Sequence, residues 1–170
     1  MTTPVAGFRV FFARDSELYP LHGSAAVALP WQVGVNDAAC RRGGHPEPPP
    51  GDTCGCGLHS FYDLDWMERW LKVSPIWDVR HDHPRGALVF AVTRSWGRIA
   101  AGRQSMAAQH AEVLALIDAP ELEGLGGEEL LAAARTYGVP VVPLGGAAAW
   151  AAEFGSPMPS ELRPQHPVPG

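Results

Sequence analysis

All three cysteines of this 170-residue chain lie in one short stretch, CRRGGHPEPPPGDTCGCGLH. Together with one histidine they form the pattern C-x4-H-x8-C-x-C, which runs through Cys40, His45, Cys54 and Cys56. Cysteine thiolate and histidine imidazole are preferred zinc ligands, and four of them complete a tetrahedral shell. The spacing therefore predicts a zinc site in a loop over about residues 36–60, with these four side chains as ligands.

Glycines next to the paired cysteines make this spacing workable. Two sulfurs on one zinc lie about 3.8 Å apart, which is closer than an extended C-x-C allows. Gly55 and Gly57 permit the tight turn that brings the sulfurs together. The loop is rich in proline and buries no obvious core, so a metal would supply stability that it otherwise lacks. His59 is an alternative fourth ligand, and three reduced thiols without a metal are the alternative to the site as a whole.

The loop also contains an imperfect match to an enzyme motif. His45 to Glu47, followed by CGC, is similar to the H-x-E…P-C-x-x-C pattern of zinc deaminases, in which the glutamate is the general acid and base. Here Glu47 precedes three prolines, which do not continue a helix, and the second half is one residue short. Deaminase chemistry is therefore disfavoured. A zinc enzyme would need an open metal position beside a general base, for which His59, Glu47 and Asp52 are the candidates.

Two further groups of residues could bind ligands. The HDH stretch at 81–83 places two imidazoles on one side of a strand, as a second metal site requires, although a polar turn also explains it. A second group could form an anion-binding patch or simply the solvated face of a hairpin. Its members are Arg94, Trp96, Arg98 and Arg103.

Bulk composition limits the class of protein. Hydrophobic residues make up 46% and charged residues 18%, which is typical of a globular chain rather than a disordered one. The net charge of −5 argues against nucleic-acid binding. The N-terminus lacks the pattern of a signal peptide, and the apolar runs are too short to span a membrane. An odd number of cysteines fits no disulfide framework, so we expect a cytoplasmic protein. A single lysine, Lys72, beside many Gly, Pro and Ala residues suggests the GC-rich genome of an actinobacterium.

Periodicity predicts mostly strands in the first two thirds of the chain. Residues 7–15 form a strand, and the next residues return along it, with Val27 and Leu29 entering the core. The apolar run within 86–103 predicts a central strand, and Trp96-Gly97 marks a bend into the next one. Residues 111–117 fit a strand or a helix.

Helices are predicted at 63–73, 126–138 and 147–154. Asp63 is placed to cap the first helix and Gly138 to end the second. Strands that precede helices indicate an α+β fold. We expect one small domain over residues 1–154, with an antiparallel sheet, two or three helices and a zinc-stabilised loop, followed by a disordered proline-rich tail at 155–170.

The cysteine–histidine motif, the buried strand ending in WG and the later G-x-R resemble a family of small uncharacterised proteins of actinobacteria and their phages. The resemblance covers residues 8–117 and departs at GRQSMA, which lacks the acidic residue that usually follows the arginine. It implies a metal site and carries no established activity. The matching residues are Cys40, His45, Cys54, Cys56, Gly57, Trp96, Gly97, Gly102 and Arg103.

Two functions follow as expectations. The first is a non-enzymatic, zinc-stabilised binding or adaptor protein, whose partner we expect to be a protein rather than a membrane or a nucleic acid. The second is a zinc-dependent hydrolase or deaminase-like enzyme that uses a metal-bound water. The number of protein ligands on the metal discriminates between them, because four ligands leave no place for water.

Overall fold

The computed structural model describes residues 4–21, 29–40, 47–51, 56–73, 86–120, 122 and 127–157. Seven strands and three helices lie in this part of the chain, which confirms the α+β class. The strands are β1 (Val5–Arg14), β2 (Glu17–Pro20), β3 (Val35–Asp37), β4 (Leu58–Phe61), β5 (Ala87–Ala101), β6 (Ser105–Asp118) and β7 (Val141–Pro143). The helices are α1 (Leu64–Val73), α2 (Glu128–Tyr137) and α3 (Leu144–Phe154).

The strands form one sheet that closes on itself through four members. β1 pairs with β5, β5 with β6, and β6 with β4, all antiparallel. β4 returns to β1 through the single register pair Phe8 and Phe61. The ring is therefore tight on three sides and barely joined on the fourth.

The predicted antiparallel sheet is confirmed for most of its strand pairs, but one pair is parallel and the sheet is therefore mixed. β7 pairs parallel to β6, with Leu116 opposite Val141. Helix α2 lies between these strands in the chain. A crossover of this kind returns the chain in the same direction, which produces parallel pairing.

The predicted bend at Trp96-Gly97 is wrong. β5 continues through these residues to Ala101, and its register with β6 shifts between Trp96 and Ile99. Gly97 adopts a positive φ of 79° there, which marks a β-bulge rather than the end of a strand. The ambiguous run at 111–117 lies within strand β6.

Helices cover both faces of the sheet. Met67 of α1 and Ala147 of α3 pack in one apolar cluster, whereas Leu130 and Tyr137 of α2 pack in another. Leu29 does not enter the core as expected, since 75% of it is exposed. Trp31 fills this role instead and contacts Phe11 edge to face, with ring centroids 4.9 Å apart. Val27 lies outside the described residues.

The predicted helix caps are confirmed. The Asp63 carboxylate accepts a hydrogen bond from the Trp66 N–H at 2.9 Å, which satisfies a donor in the first turn of α1. Gly138 ends α2 in the left-handed conformation at φ 64°. No helix in the described part of the chain is both long and apolar enough to cross a membrane.

The chain after α3 still contacts the domain. Ser156 accepts a hydrogen bond from the Ala6 N–H at 2.9 Å and donates one to the Pro4 carbonyl at 3.1 Å. The disordered proline-rich tail was predicted over residues 155–170, of which 158–170 lie outside the described residues.

Candidate metal centre

The cysteine loop begins and ends at one point on strand β6. β3 pairs with β6 from Glu112 to His110, and the next N–H, that of Ala38, donates to the Gln109 carbonyl at 2.8 Å. β4 then continues along the same strand, with Leu58 opposite Ala108. β3 and β4 thus act as one strand interrupted by a long insertion, and the two ends of that insertion lie side by side.

This topology tethers two of the predicted ligands close to neighbouring points on β6. Cys40 follows Ala38 by two residues, and Cys56 precedes Leu58 by two. Two residues of extended chain reach about 7 Å at most. Both cysteines are therefore tethered at the base of the insertion, although they are distant in sequence. Both are half-buried.

The sulfur of Cys56 already receives a hydrogen bond. The Gly51 N–H donates to Cys56 Sγ at 3.3 Å, within the range of N–H···S contacts. N–H···S hydrogen bonds of this kind are found around metal-bound thiolates. Gly51 and Pro50 are buried, so this part of the insertion folds back onto its own base.

Gly57 makes this return possible. It adopts φ +124°, and a Cβ at this position would lie 2.9 Å from the Cβ of Ala107 and 3.3 Å from that of Pro50. Only glycine fits here without displacement of backbone or side chains. The glycine that follows the C-x-C pair therefore has a packing function in addition to its turn conformation.

The predicted anion patch lies beside the same loop. Arg98 forms an ion pair with Glu47 of the loop at 3.0 Å, and Arg94 forms one with Glu112. Arg103 is exposed. Two of the three arginines therefore already have carboxylate partners, and one of these pairs joins the loop to the β5 bulge.

Trp96, the fourth member of the patch, contacts a residue that the sequence did not single out. Its ring stacks on His110 with centroids 5.9 Å apart. His110 Nδ1 lies 2.6 Å from the carboxylate of Asp37, which ends β3 just before the loop. These three side chains meet because β3, β5 and β6 pair in this register. The contact could not be predicted from the sequence, because the register is known only once the strands are paired.

The remaining candidate ligands are placed as follows. His59 lies in β4, half-buried, in the wall of a cleft beside β1. His45, Cys54 and Asp52 lie outside the described residues, as does the HDH stretch at 81–83. Within the described residues alone, no group of three or more potential ligands is close enough to hold a metal.

The chain matches no known protein-family model, curated protein or solved structure. The geometry of the loop is therefore the basis for any functional argument. What it provides is two tethered thiols, one already hydrogen-bonded, at the base of an insertion that also carries His45 and Cys54. Donors of this type suit zinc.

Proposed function

We propose that this protein is a non-enzymatic binding or adaptor protein, in which zinc bound by Cys40, His45, Cys54 and Cys56 stabilises the loop between β3 and β4. The observation that carries the proposal is the meeting of the two loop ends on β6, at Gln109 and Ala108. Because this meeting fixes the first and last ligand, zinc would need to order only the segment between them. A closed shell of four protein ligands leaves no position for a reactive water.

The alternative is a zinc-dependent hydrolase or deaminase-like enzyme, which requires a free general base beside an open metal position. Glu47, one candidate base, forms an ion pair with Arg98, and the prolines after it leave no helix that could carry it into a site. This contact favours a role for Glu47 in holding the loop. The binding function is therefore preferred.

The partner we propose is a protein. The residues that lead into and form β3, directly before the loop, include Val33 and Val35, whose surfaces are 60% and 50% exposed. Contiguous exposed apolar patches mark protein contact surfaces, and we propose that Val33 and Val35 belong to such a patch beside the loop. A cytoplasmic location belongs to the same proposal and is supported by the odd number of cysteines.

Metal analysis tests the zinc site directly. Purified protein is expected to contain about one zinc per chain, and Cys54→Ser or Cys56→Ser to release it, because a neutral hydroxyl replaces a thiolate ligand. The core strands do not depend on the loop, so circular dichroism of the variants should stay close to that of the wild type while residues 38–57 become sensitive to protease. Wild-type protein without zinc, or a Cys56→Ser variant that retains it fully, would contradict the assignment.

Metal substitution in the same purified protein distinguishes the proposed binding function from the enzymatic alternative. Substitution of cobalt for zinc gives absorption bands that report ligand number and type. Four protein ligands, two or more of them sulfur, support the binding function. A bound water or an open position would support the enzyme instead.

A further inference from the structure

A cleft opens where the ring of strands is weakest. β1 and β4 share only the register pair Phe8 and Phe61, and beyond it the two strands diverge. The resulting cleft has a volume of about 250 Å³. Its walls combine polar and apolar side chains from both strands, from α1 and from the start of β6. They are Arg9, Val10, Leu21, His59, Ser60, Phe61, Trp70, Gln104 and Ser105.

Arg9 is the unusual member of this wall. It is only 7% exposed. Its Nη1 donates a hydrogen bond to the His59 carbonyl, which would accept a backbone hydrogen bond from β1 if the pairing of β1 with β4 continued. This bond places the guanidinium in the gap between the strands. Arg9 therefore replaces backbone pairing with a charged side chain.

The buried charge of Arg9 has no anionic partner among the described residues, where none of the ion pairs includes it. Its Nε makes no hydrogen bond there either. The rings of Trp31 and Phe11 lie 4.6 and 5.2 Å from the guanidinium carbon and compensate part of the charge. Burial lowers the pKa of Arg9 to about 9, so the group is still protonated at neutral pH.

An isolated buried cation is costly, and proteins normally pair it with a carboxylate or another anion. The neighbouring residues of β1 on the same face, Phe11 and Ala13, are apolar, so Arg9 places a charge on an otherwise apolar part of the strand. A cleft next to a guanidinium that has no carboxylate partner in the described part of the chain is suited to an anion from solution.

We propose that the cleft between β1 and β4 binds a small carboxylate with an apolar body, whose carboxylate group pairs with Arg9. The planar guanidinium matches a carboxylate in geometry and charge. Phe61 and Trp70, with ring centroids 5.8 Å apart, supply a flat apolar wall for the rest of the ligand. The hydroxyl group of Ser105 and the amide group of Gln104 offer further hydrogen bonds.

This inference names a class of ligand for the proposed binding function, and it rests on that function only in assuming that the protein binds a ligand. It does not involve the metal, so the two proposals fail separately. Zinc content tests the loop, and small-molecule binding tests the cleft.

The experiment uses benzoate as the probe, because it combines a carboxylate with a flat apolar ring. Titration calorimetry of the full chain is expected to show saturable binding of benzoate. Benzamide, which has the same shape without the charge, should bind at least about tenfold more weakly. Inorganic phosphate, which has charge without an apolar body, should also be weaker than benzoate.

Three variants locate the site. Arg9→Met should lose benzoate binding by about tenfold or more and remain folded, since it removes an unpaired buried charge. Ser105→Leu keeps Arg9 but fills the cleft, and should weaken binding as well. Arg103→Met removes an exposed arginine outside the cleft and should bind benzoate like the wild type.

Several results would overturn the proposal. These are absence of benzoate binding at tens of millimolar, equal binding of benzamide, and a stronger response to phosphate. Retention of benzoate binding by Arg9→Met, or its loss in Arg103→Met, would place the anion site elsewhere. Unchanged zinc content in all three variants keeps these outcomes independent of the metal site.

Discussion

Ala38 and Leu58 occupy successive positions along one edge of β6, opposite Gln109 and Ala108, although the entire cysteine loop separates them in the chain. The sheet therefore closes the loop at its base before any metal binds. Such closure lowers the entropy that a metal must overcome to order the ligands between the two ends. The following predictions use this arrangement and the contacts around it.

Gly57→Ala should destabilise the protein far more than a glycine substitution in open space. The new methyl group would meet the Ala107 Cβ at 2.9 Å, and the φ of +124° adds backbone strain. We expect a loss of about 3 kcal/mol or more in the free energy of unfolding. Gly34→Ala is the matched control, because Gly34 also has a positive φ but no atom within 4 Å of a new Cβ. It should cost only about 1 kcal/mol in urea denaturation. Equal losses in the two variants would show that the close packing around Gly57 does not affect the free energy of unfolding.

Tyr137→Phe should cost about 1–3 kcal/mol, because it leaves two buried backbone groups without partners. The Tyr137 hydroxyl donates to the Trp31 carbonyl at 2.5 Å and accepts from the Leu18 N–H at 3.1 Å. These bonds join α2 to β2 and to the segment before β3. Urea denaturation at neutral pH measures the loss.

The contribution of Tyr137 should also depend on pH. Burial raises the pKa of Tyr137 above its ordinary value, so the folded protein resists ionisation of the phenol. Its stabilising effect is complete below the unfolded pKa of about 10 and falls as the pH rises above it. The advantage of the wild type over Tyr137→Phe should therefore shrink between pH 9 and 11. Burial of Arg9 acts in the opposite direction over this range, but it does so in both proteins and cancels in the difference. A constant difference would contradict the prediction.

Removal of residues 157–170 should barely change the thermal stability, whereas removal of 155–170 should lower it. The longer deletion eliminates both hydrogen bonds between Ser156 and the start of the chain, at Pro4 and Ala6. Two backbone hydrogen bonds contribute about 1–3 kcal/mol together. Differential scanning calorimetry of the two truncations measures the contrast. A large loss in the shorter deletion would mean that the proline-rich segment contacts the domain.

The HDH stretch should be dispensable for metal binding. His81→Ala combined with His83→Ala is expected to leave the zinc content per chain unchanged, because the four proposed ligands lie elsewhere. Elemental analysis measures the zinc content of the double variant, with Cys56→Ser measured in parallel as the variant that should lose zinc. A clear drop in the double variant would move the metal site to this stretch.

The sequence by itself determined most of the secondary structure. The apolar run of β5 and the caps Asp63 and Gly138 each depend on a few neighbouring residues, so their signals are local and readable. The zinc pattern is local in the same sense, because the amino-acid sequence directly gives the identity and spacing of the proposed ligands. The structure confirms β5 and both caps, whereas the zinc site stays a prediction. Strands β3 and β4 lie at the two ends of the segment predicted as a loop, because their pairing with β6 is long-range.

Long-range pairing was decided only by the tertiary structure. Whether 111–117 is a strand, whether β7 runs parallel, and whether Leu29 or Trp31 is buried all depend on partners far away in the chain. The sequence predicted Arg94 and Arg98 as members of an anion-binding patch. In the structure, the register of β6 places Glu112 beside Arg94, and the loop places Glu47 beside Arg98. Arg9 looked like an ordinary strand residue, since the divergence of β1 and β4 that isolates its charge has no local signal. Charge and burial are properties of the assembled sheet, and a linear pattern records only which side chains are available to it.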